Sequence, residues 1–270
     1  MELSLGGKKA VVTGGGGAIC GEISRALARE GASVAIWDLS IESAGRVLAG
    51  LPDGGPQAIA VGCDVLDRAS VRAALQKTLE GFGTVDILVN GAGGSRREAT
   101  TSPDLAFFDI PTEALEGTLN LNYLSAVIPS QEVGRVFAQK KEGVILNVAS
   151  VAGFRPLSRS ISYSNGKAAT ISFTQWLAVH MAREYSPAIR VNAVAPGFVL
   201  TEQNRFLLEE ADTGRPTERG RQIMRSVPMG RLGAPEEIVG AVLYLVSGQA
   251  RFVTGAVLAV DGGFSASAGV

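Results

Sequence analysis

Tyr163 and Lys167 carry the most chemistry in this chain. They stand four residues apart in a segment with helical spacing, which puts phenol and ammonium on one face, one turn apart. A free tyrosine ionises near pH ~10 and is a poor base at neutrality. An ammonium beside it favours the phenolate and is expected to lower that value. Such a pair can take a proton from a carbinol during oxidation, or return one to a ketone during reduction. Taken alone, Tyr-x-x-x-Lys is most often a tyrosine beside a surface lysine. Ser150 sharpens it. It ends an apolar run thirteen residues before Tyr163, where the chain must return to the same sheet edge. A hydroxyl there can bond the reacting oxygen and fix its position.

A second group of residues suits a dinucleotide. Ala10–Thr13 runs into Gly14-Gly15-Gly16-Gly17-Ala18-Ile19-Cys20-Gly21, after which Ile23, Ala26 and Leu27 continue at helical spacing. In a strand–turn–helix, glycines let backbone approach a pyrophosphate, and the helix start offers free N–H groups and a positive dipole end. Asp38 follows Gly14 by 24 residues and closes the second apolar run. A carboxylate there accepts ribose hydroxyls and repels a 2′-phosphate, and Leu39 and Ser40 bring no basic group, so NAD is expected over NADP. Asp64, ahead of Val65, is placed to meet an adenine edge, although an Asp after a strand is most often a cap. Asn90-Gly91-Ala92-Gly93 ends the fourth run, with small residues that let backbone lie close to a cofactor.

These residues need a frame. Short, β-branched runs predict strands at Lys9–Thr13, Ser33–Asp38, Ala58–Cys63, Ile87–Asn90, Val144–Ala149, Arg190–Ala195 and Val257–Val260. Helical patterns separate them at Ala18–Glu30, Ile41–Leu51, Ala69–Phe82, Glu113–Gln139, Ser162–Tyr185 and Pro235–Val246. The alternation predicts an α/β fold with a parallel sheet and helices on both faces. Two long connections, Gly94–Pro111 and Phe198–Gly233, follow strand ends and are expected to wall a substrate site. With 46 % hydrophobic residues the chain can bury a large sheet. Net charge is −1, with no basic footprint for nucleic acid or an anionic membrane. Neither a signal peptide nor a membrane span is read, and Cys20 and Cys63 alone make no disulfide scaffold. A cytoplasmic enzyme with a small-molecule substrate is expected. His180 is the single histidine, so a three-histidine zinc site is excluded. Among Trp176, Leu177, Val179 and Met181 it reads as a packing or interface residue.

Thr13-Gly14 with its glycine turn, Asn90-Gly91-Ala92-Gly93, Asn122, Ser150, Tyr163, Lys167 and Pro196-Gly197 together resemble the short-chain dehydrogenase/reductase family, over essentially the whole chain. The resemblance implies a Rossmann-type, doubly wound sheet of seven parallel strands in one dinucleotide-binding catalytic domain spanning residues 1–270, with a substrate-loop insertion around 198–233 and no metal. It implies Tyr163 as the proton-transfer residue, Ser150 as partner of the substrate oxygen and Lys167 as holder of the nicotinamide ribose. Asn122 would hold a water that relays the proton. Cofactor contacts are implied for Thr13, Gly14, Gly17, Ala18, Ile19, Asp38, Asp64, Val65, Asn90, Gly91, Ala92, Tyr163, Lys167, Pro196, Gly197, Val199 and Thr201. A homotetramer is implied, pairing the two long helices across one interface and using the segment from Phe264 to Val270 in another.

The sequence departs from the family in two places. Ala18 and Cys20 stand where the last two glycines of Thr-Gly-x-x-x-Gly-x-Gly are expected, and Gly91 replaces the second Asn of Asn-Asn-Ala-Gly. Pro196–Arg205 and Asp261-Gly-Gly-Phe-Ser are similar to the branch labelled D-mannonate oxidoreductase or fructuronate reductase. A sugar acid would want a guanidinium for its carboxylate, and Arg96, Arg97 and Arg205 are the candidates. Two other readings are a 3-ketoacyl-carrier-protein reductase, against which Asp38 and the balanced charge weigh, and a non-catalytic dinucleotide sensor, in which the tyrosine or lysine would be missing.

Overall fold

The computed structural model describes residue 3, residues 5–52 and residues 54–267. Seven parallel strands form one sheet: β1 (Lys9–Thr13), β2 (Ser33–Asp38), β3 (Ala58–Gly62), β4 (Ile87–Asn90), β5 (Gly143–Val148), β6 (Ile189–Pro196) and β7 (Val257–Val260), in the order β3-β2-β1-β4-β5-β6-β7. Six helices cover its faces: α1 (Ala18–Arg29), α2 (Ile41–Ala49), α3 (Arg68–Phe82), α4 (Thr112–Lys140), α5 (Ile161–Glu184) and, after two further helices, α8 (Glu236–Val246). The sequence readings locate all seven strands, with ends displaced by a residue or so where the ladder outlasts the apolar run. None of the described helices is long and apolar enough to cross a membrane.

The runs are continuously apolar because both sheet faces are covered. Ala10, Val12, Val34, Ile36, Ile87, Val89, Leu146 and Val194 pack with α1 and α8 on one side. Their neighbours Val11, Ala35, Trp37, Leu88, Ile145 and Val191 pack with α3, α4 and α5 on the other. Each fully buried Leu, Ile or Val is worth about 1.5–3 kcal/mol. Buried Trp37 adds a polar anchor, its Nε1 donating to Thr78 Oγ1 at 3.0 Å.

β1 pairs with both β2 and β4, so the chain reverses its direction of travel across the sheet there. At that switch point the strand ends part and leave a crevice at the carboxyl edge. Thr13, Asn90 and, two strands over, Ser150 emerge at this edge.

The connection Phe198–Gly233 differs from expectation. It holds two helices, α6 (Glu202–Leu208) and α7 (Glu218–Ser226). Thr201 and Thr217 cap them, the former in a capping box with Asn204. In Gly94–Pro111 the departures from loop are two single 3-10 turns, at Arg97–Ala99 and Phe107–Asp109. Residues 268–270, part of the expected C-terminal interface, lie outside the described residues.

Candidate active site

Tyr163 lies in the first turn of α5, and Lys167 lies one turn further on. Lys167 is buried, its Nζ donating to the Val148 carbonyl at 2.8 Å and standing 5.8 Å from the centre of the Tyr163 ring. Burial in this apolar corner pushes the ammonium down to about 8. The tyrosine corrects an expectation. Burial holds its phenol above the ordinary tyrosine value, and a hydrogen bond with Ser150 pulls it part of the way back. The lysine spends its hydrogen bond on a strand carbonyl and faces the ring, so its charge does not offset the desolvation of the phenol.

Ser150 is brought to Tyr163 by packing. It caps the 3-10 turn Val151–Gly153, its Oγ accepting from Ala152 N at 3.2 Å. That turn lies directly on α5. A Cβ at Gly153 would stand 2.9 Å from the main-chain carbon and oxygen of Lys167, so only glycine permits the approach.

Asn122, fully buried midway along α4, clamps the chain after β4. Its Oδ1 accepts from Gly94 N at 3.1 Å, while Nδ2 donates to Gly94 O at 2.8 Å and Thr118 O at 2.9 Å. Its main-chain carbonyl accepts from Thr170 Oγ1 at 2.7 Å. A Cβ at Gly93 would meet Asn122 Oδ1 at 2.8 Å and Lys167 Nζ at 3.3 Å, which places amide and ammonium together on the side-chain face of one glycine.

At the crevice the first turn is set by Gly14, whose φ of +62° and 2.9 Å approach to Ala92 admit no side chain. Thr13 Oγ1 accepts from Gly91 N at 3.0 Å and Ala92 N at 3.3 Å, tying the turns after β1 and β4 together. The N–H groups of Ala18 and Ile19 open α1 with no acceptor among the described residues, next to Gly17 at the cap. Asp38 accepts from Gly16 N and Ser40 N, both at 2.9 Å. These two bonds orient the carboxylate and leave lone pairs for a ligand's hydroxyls. Asp64 is exposed and caps its own turn, accepting from Leu66 N at 2.9 Å, with Val65 buried beside it. On the far side Gly197 N donates to Val260 O at 2.9 Å directly after Pro196, and Val199 bridges to Gly233 ahead of the Thr201 cap.

Asn90 is placed differently from a ligand-facing group. Its amide donates into the protein, to Ser130 Oγ and Asn147 Oδ1, both at 2.9 Å. Asn147 in turn donates to Thr174 Oγ1 at 2.9 Å. Any contact of Asn90 with a cofactor runs through its backbone. Sequence reading missed Thr170, Thr174 and Asn147. The signal was present as an Asn inside an apolar strand and two threonines four apart on the buried side of α5.

The three candidate arginines separate. Arg205 forms an i,i+4 ion pair with Glu209 on the surface of α6. Arg96 and Arg97 are exposed and have no ion-pair partner among the described residues. Arg96 rests on α4, since a Cβ at Gly117 would meet its NH1 at 3.0 Å. Their loop is pinned to the one that carries Ser150, with Thr101 N donating to Arg159 O at 3.0 Å. His180 stacks on Trp176 at 4.7 Å, away from the crevice.

The family model described as enoyl-(acyl carrier protein) reductase matches residues 16–265. The uncharacterized oxidoreductase UxuB of Bacillus subtilis is 39% identical over 279 residues, covering 100% of this chain and 99% of that one. The 3-oxoacyl-[acyl-carrier-protein] reductase FabG of Chlamydia muridarum is 33% identical, covering 98% and 100%. Among solved structures, a provisionally named D-mannonate oxidoreductase from Haemophilus influenza with bound NAD superposes with a TM-score of 0.91 at 39% identity, over 99% of this chain and 98% of that one.

Proposed function

Because the chain belongs to the short-chain dehydrogenase/reductase family, we propose that it is an NAD-dependent oxidoreductase of the alcohol–ketone class (EC 1.1.1.-). Its substrate would be a small sugar acid of the D-mannonate/D-fructuronate type. The observation that supports this most is the convergence of Tyr163, Ser150 and Lys167 at the carboxyl edge, beside the crevice between β1 and β4. NAD supplies, when bound, the carbon that accepts or returns hydride.

The chain's own residues do the rest. Ser150 and Tyr163 bond the substrate oxygen from one side and fix it. In oxidation the phenol, as its anion, takes the hydroxyl proton. In reduction the phenol gives it. A phenol held above its ordinary value suits the second task more than the first. Asn122 holds the loop that ends at Gly94 and would keep the relay water beside Lys167. The crevice suits NAD over NADP, because the oriented Asp38 carboxylate and exposed Leu39 offer nothing to a 2′-phosphate. Arg96 is the best-placed guanidinium for a substrate carboxylate, since it is unpaired and propped on α4. The proposal includes a homotetramer. Trp176 and Val179 are 60% and 53% exposed on α5, beside a groove along α4 and α5 of about 940 Å³ that a second copy would fill.

A panel of sugar acids and neutral polyols, assayed for reduced-cofactor formation with NAD and with NADP, tests the reading. A sugar acid with NAD should give the highest kcat/KM. Preference for a neutral polyol would remove the sugar-acid assignment, and preference for NADP would remove the role given to Asp38.

A further inference from the structure

The two departures from the family pattern meet in one contact. Cys20 is the third residue of α1, and its buried side chain points across the crevice floor at the turn after β4. A Cβ at Gly91 would lie 2.0 Å from Cys20 Sγ and 3.0 Å from Thr13 O. No L-side chain fits at Gly91 while the sulfur keeps this position. Where the family has glycine at the helix and asparagine at the turn, this chain has a side chain at the helix and glycine at the turn. The volume has changed sides. Cys20 is also close enough to the far ends of the crevice for its ionisation to feel both Lys167 and Asp38.

We propose that Cys20 and Gly91 form a complementary pair that sets the separation of the two turns on either side of the dinucleotide, which makes Cys20 a positioning residue for cofactor binding. Gly14 against Ala92 and the Thr13 hydroxyl fix the mouth of the crevice, and the sulfur against Gly91 fixes its floor. A close-packed interior transmits a misfit of a few tenths of an ångström to the backbone N–H groups that face the ligand. The inference rests on the NAD reading above, and its test separates the two.

NADH affinity is measured by fluorescence titration, alongside melting temperature, for wild type, Gly91→Ala, Cys20→Gly and the double variant. Failure of the wild type to bind NADH would count against the cofactor reading itself. Given wild-type binding, Gly91→Ala should weaken NADH about tenfold or more through overpacking. Cys20→Gly should cost about threefold or less, and the double variant should recover to within about threefold of Cys20→Gly. Equal NADH affinity in Gly91→Ala and wild type would overturn the proposal, even with a lowered melting temperature, because the contact would then be packing alone. So would a double variant as weak as Gly91→Ala. If Gly91→Ala does not fold, the double variant decides: a folded, NADH-binding double supports the pair, and an unfolded one refutes it.

Discussion

The two edges of the sheet are built from similar residues and treat them in opposite ways. At the amino edge the charged groups have several hydrogen-bond partners each. Lys9 N donates to Asp86 Oδ2 at 2.8 Å, and Asp86 is bridged by Lys140, whose Nζ also reaches Val85 O at 3.0 Å. Buried Arg190 spreads its guanidinium over the carbonyls of Leu245, Ser247 and Val253 at 2.9, 3.1 and 3.3 Å, closing the end of α8. At the carboxyl edge Lys167 is as buried, yet its hydrogen bond among the described residues goes to one carbonyl, and the ends of β1 and β4 are glycine turns. Satisfied charges stabilise. A buried charge with donors to spare keeps capacity for a ligand and costs stability. The contrast teaches that location on the sheet, more than residue type, separates structural from chemical charges.

Substitutions can break that contrast. Lys167→Met should have the largest effect, cutting kcat by about 10²–10⁴-fold. Melting temperature should hold or rise, because an uncompensated buried ammonium is removed. A clear loss of stability would put Lys167 in the amino-edge class. Arg190→Met should do the reverse, costing roughly 3 kcal/mol in denaturant unfolding as charged hydrogen bonds to three carbonyls are lost, with kcat of the folded enzyme unchanged.

The legibility of the sequence divides along the same line. Strands were readable because both faces are buried, so apolar runs such as Val34–Trp37 carry no competing pattern. The pair Tyr163 and Lys167 was readable from its spacing on α5. The direction of the tyrosine's shift was not, since it depends on how deeply folding buries the phenol. Helix α6 escaped because it is only seven residues long, and α7 because Glu218–Ser226 is polar and arginine-rich, with a Thr217 cap and the Glu218–Arg221 pair to support it. Asn122 resembles any polar helix residue until Gly94 is folded against it. Cys20 and Gly91 looked like two separate losses, and only the packing shows that they compensate.

Smaller effects sharpen the contrast. Carbinol oxidation should rise with pH well into the alkaline range, because the raised phenol must lose its proton, whereas ketone reduction should persist at neutral pH and fall in the alkaline range. Lys167, near 8, should add an inflection in the free enzyme. A flat oxidation profile in kcat/KM would contradict this. The smallest effect belongs to Arg205→Ala, which should change stability by no more than about 0.5 kcal/mol and leave KM for an active sugar acid intact. Arg96→Ala should raise that KM about tenfold. The opposite ranking would reassign the carboxylate site to α6.

The most direct test of the central claim is transfer of hydride by Tyr163→Phe, measured under saturating NAD and an active substrate, with NADH affinity titrated on the same preparation. The account predicts near-wild-type NADH binding with turnover reduced by about 10²-fold or more. Turnover equal to wild type would contradict it, because the proton would then be moving through some other group.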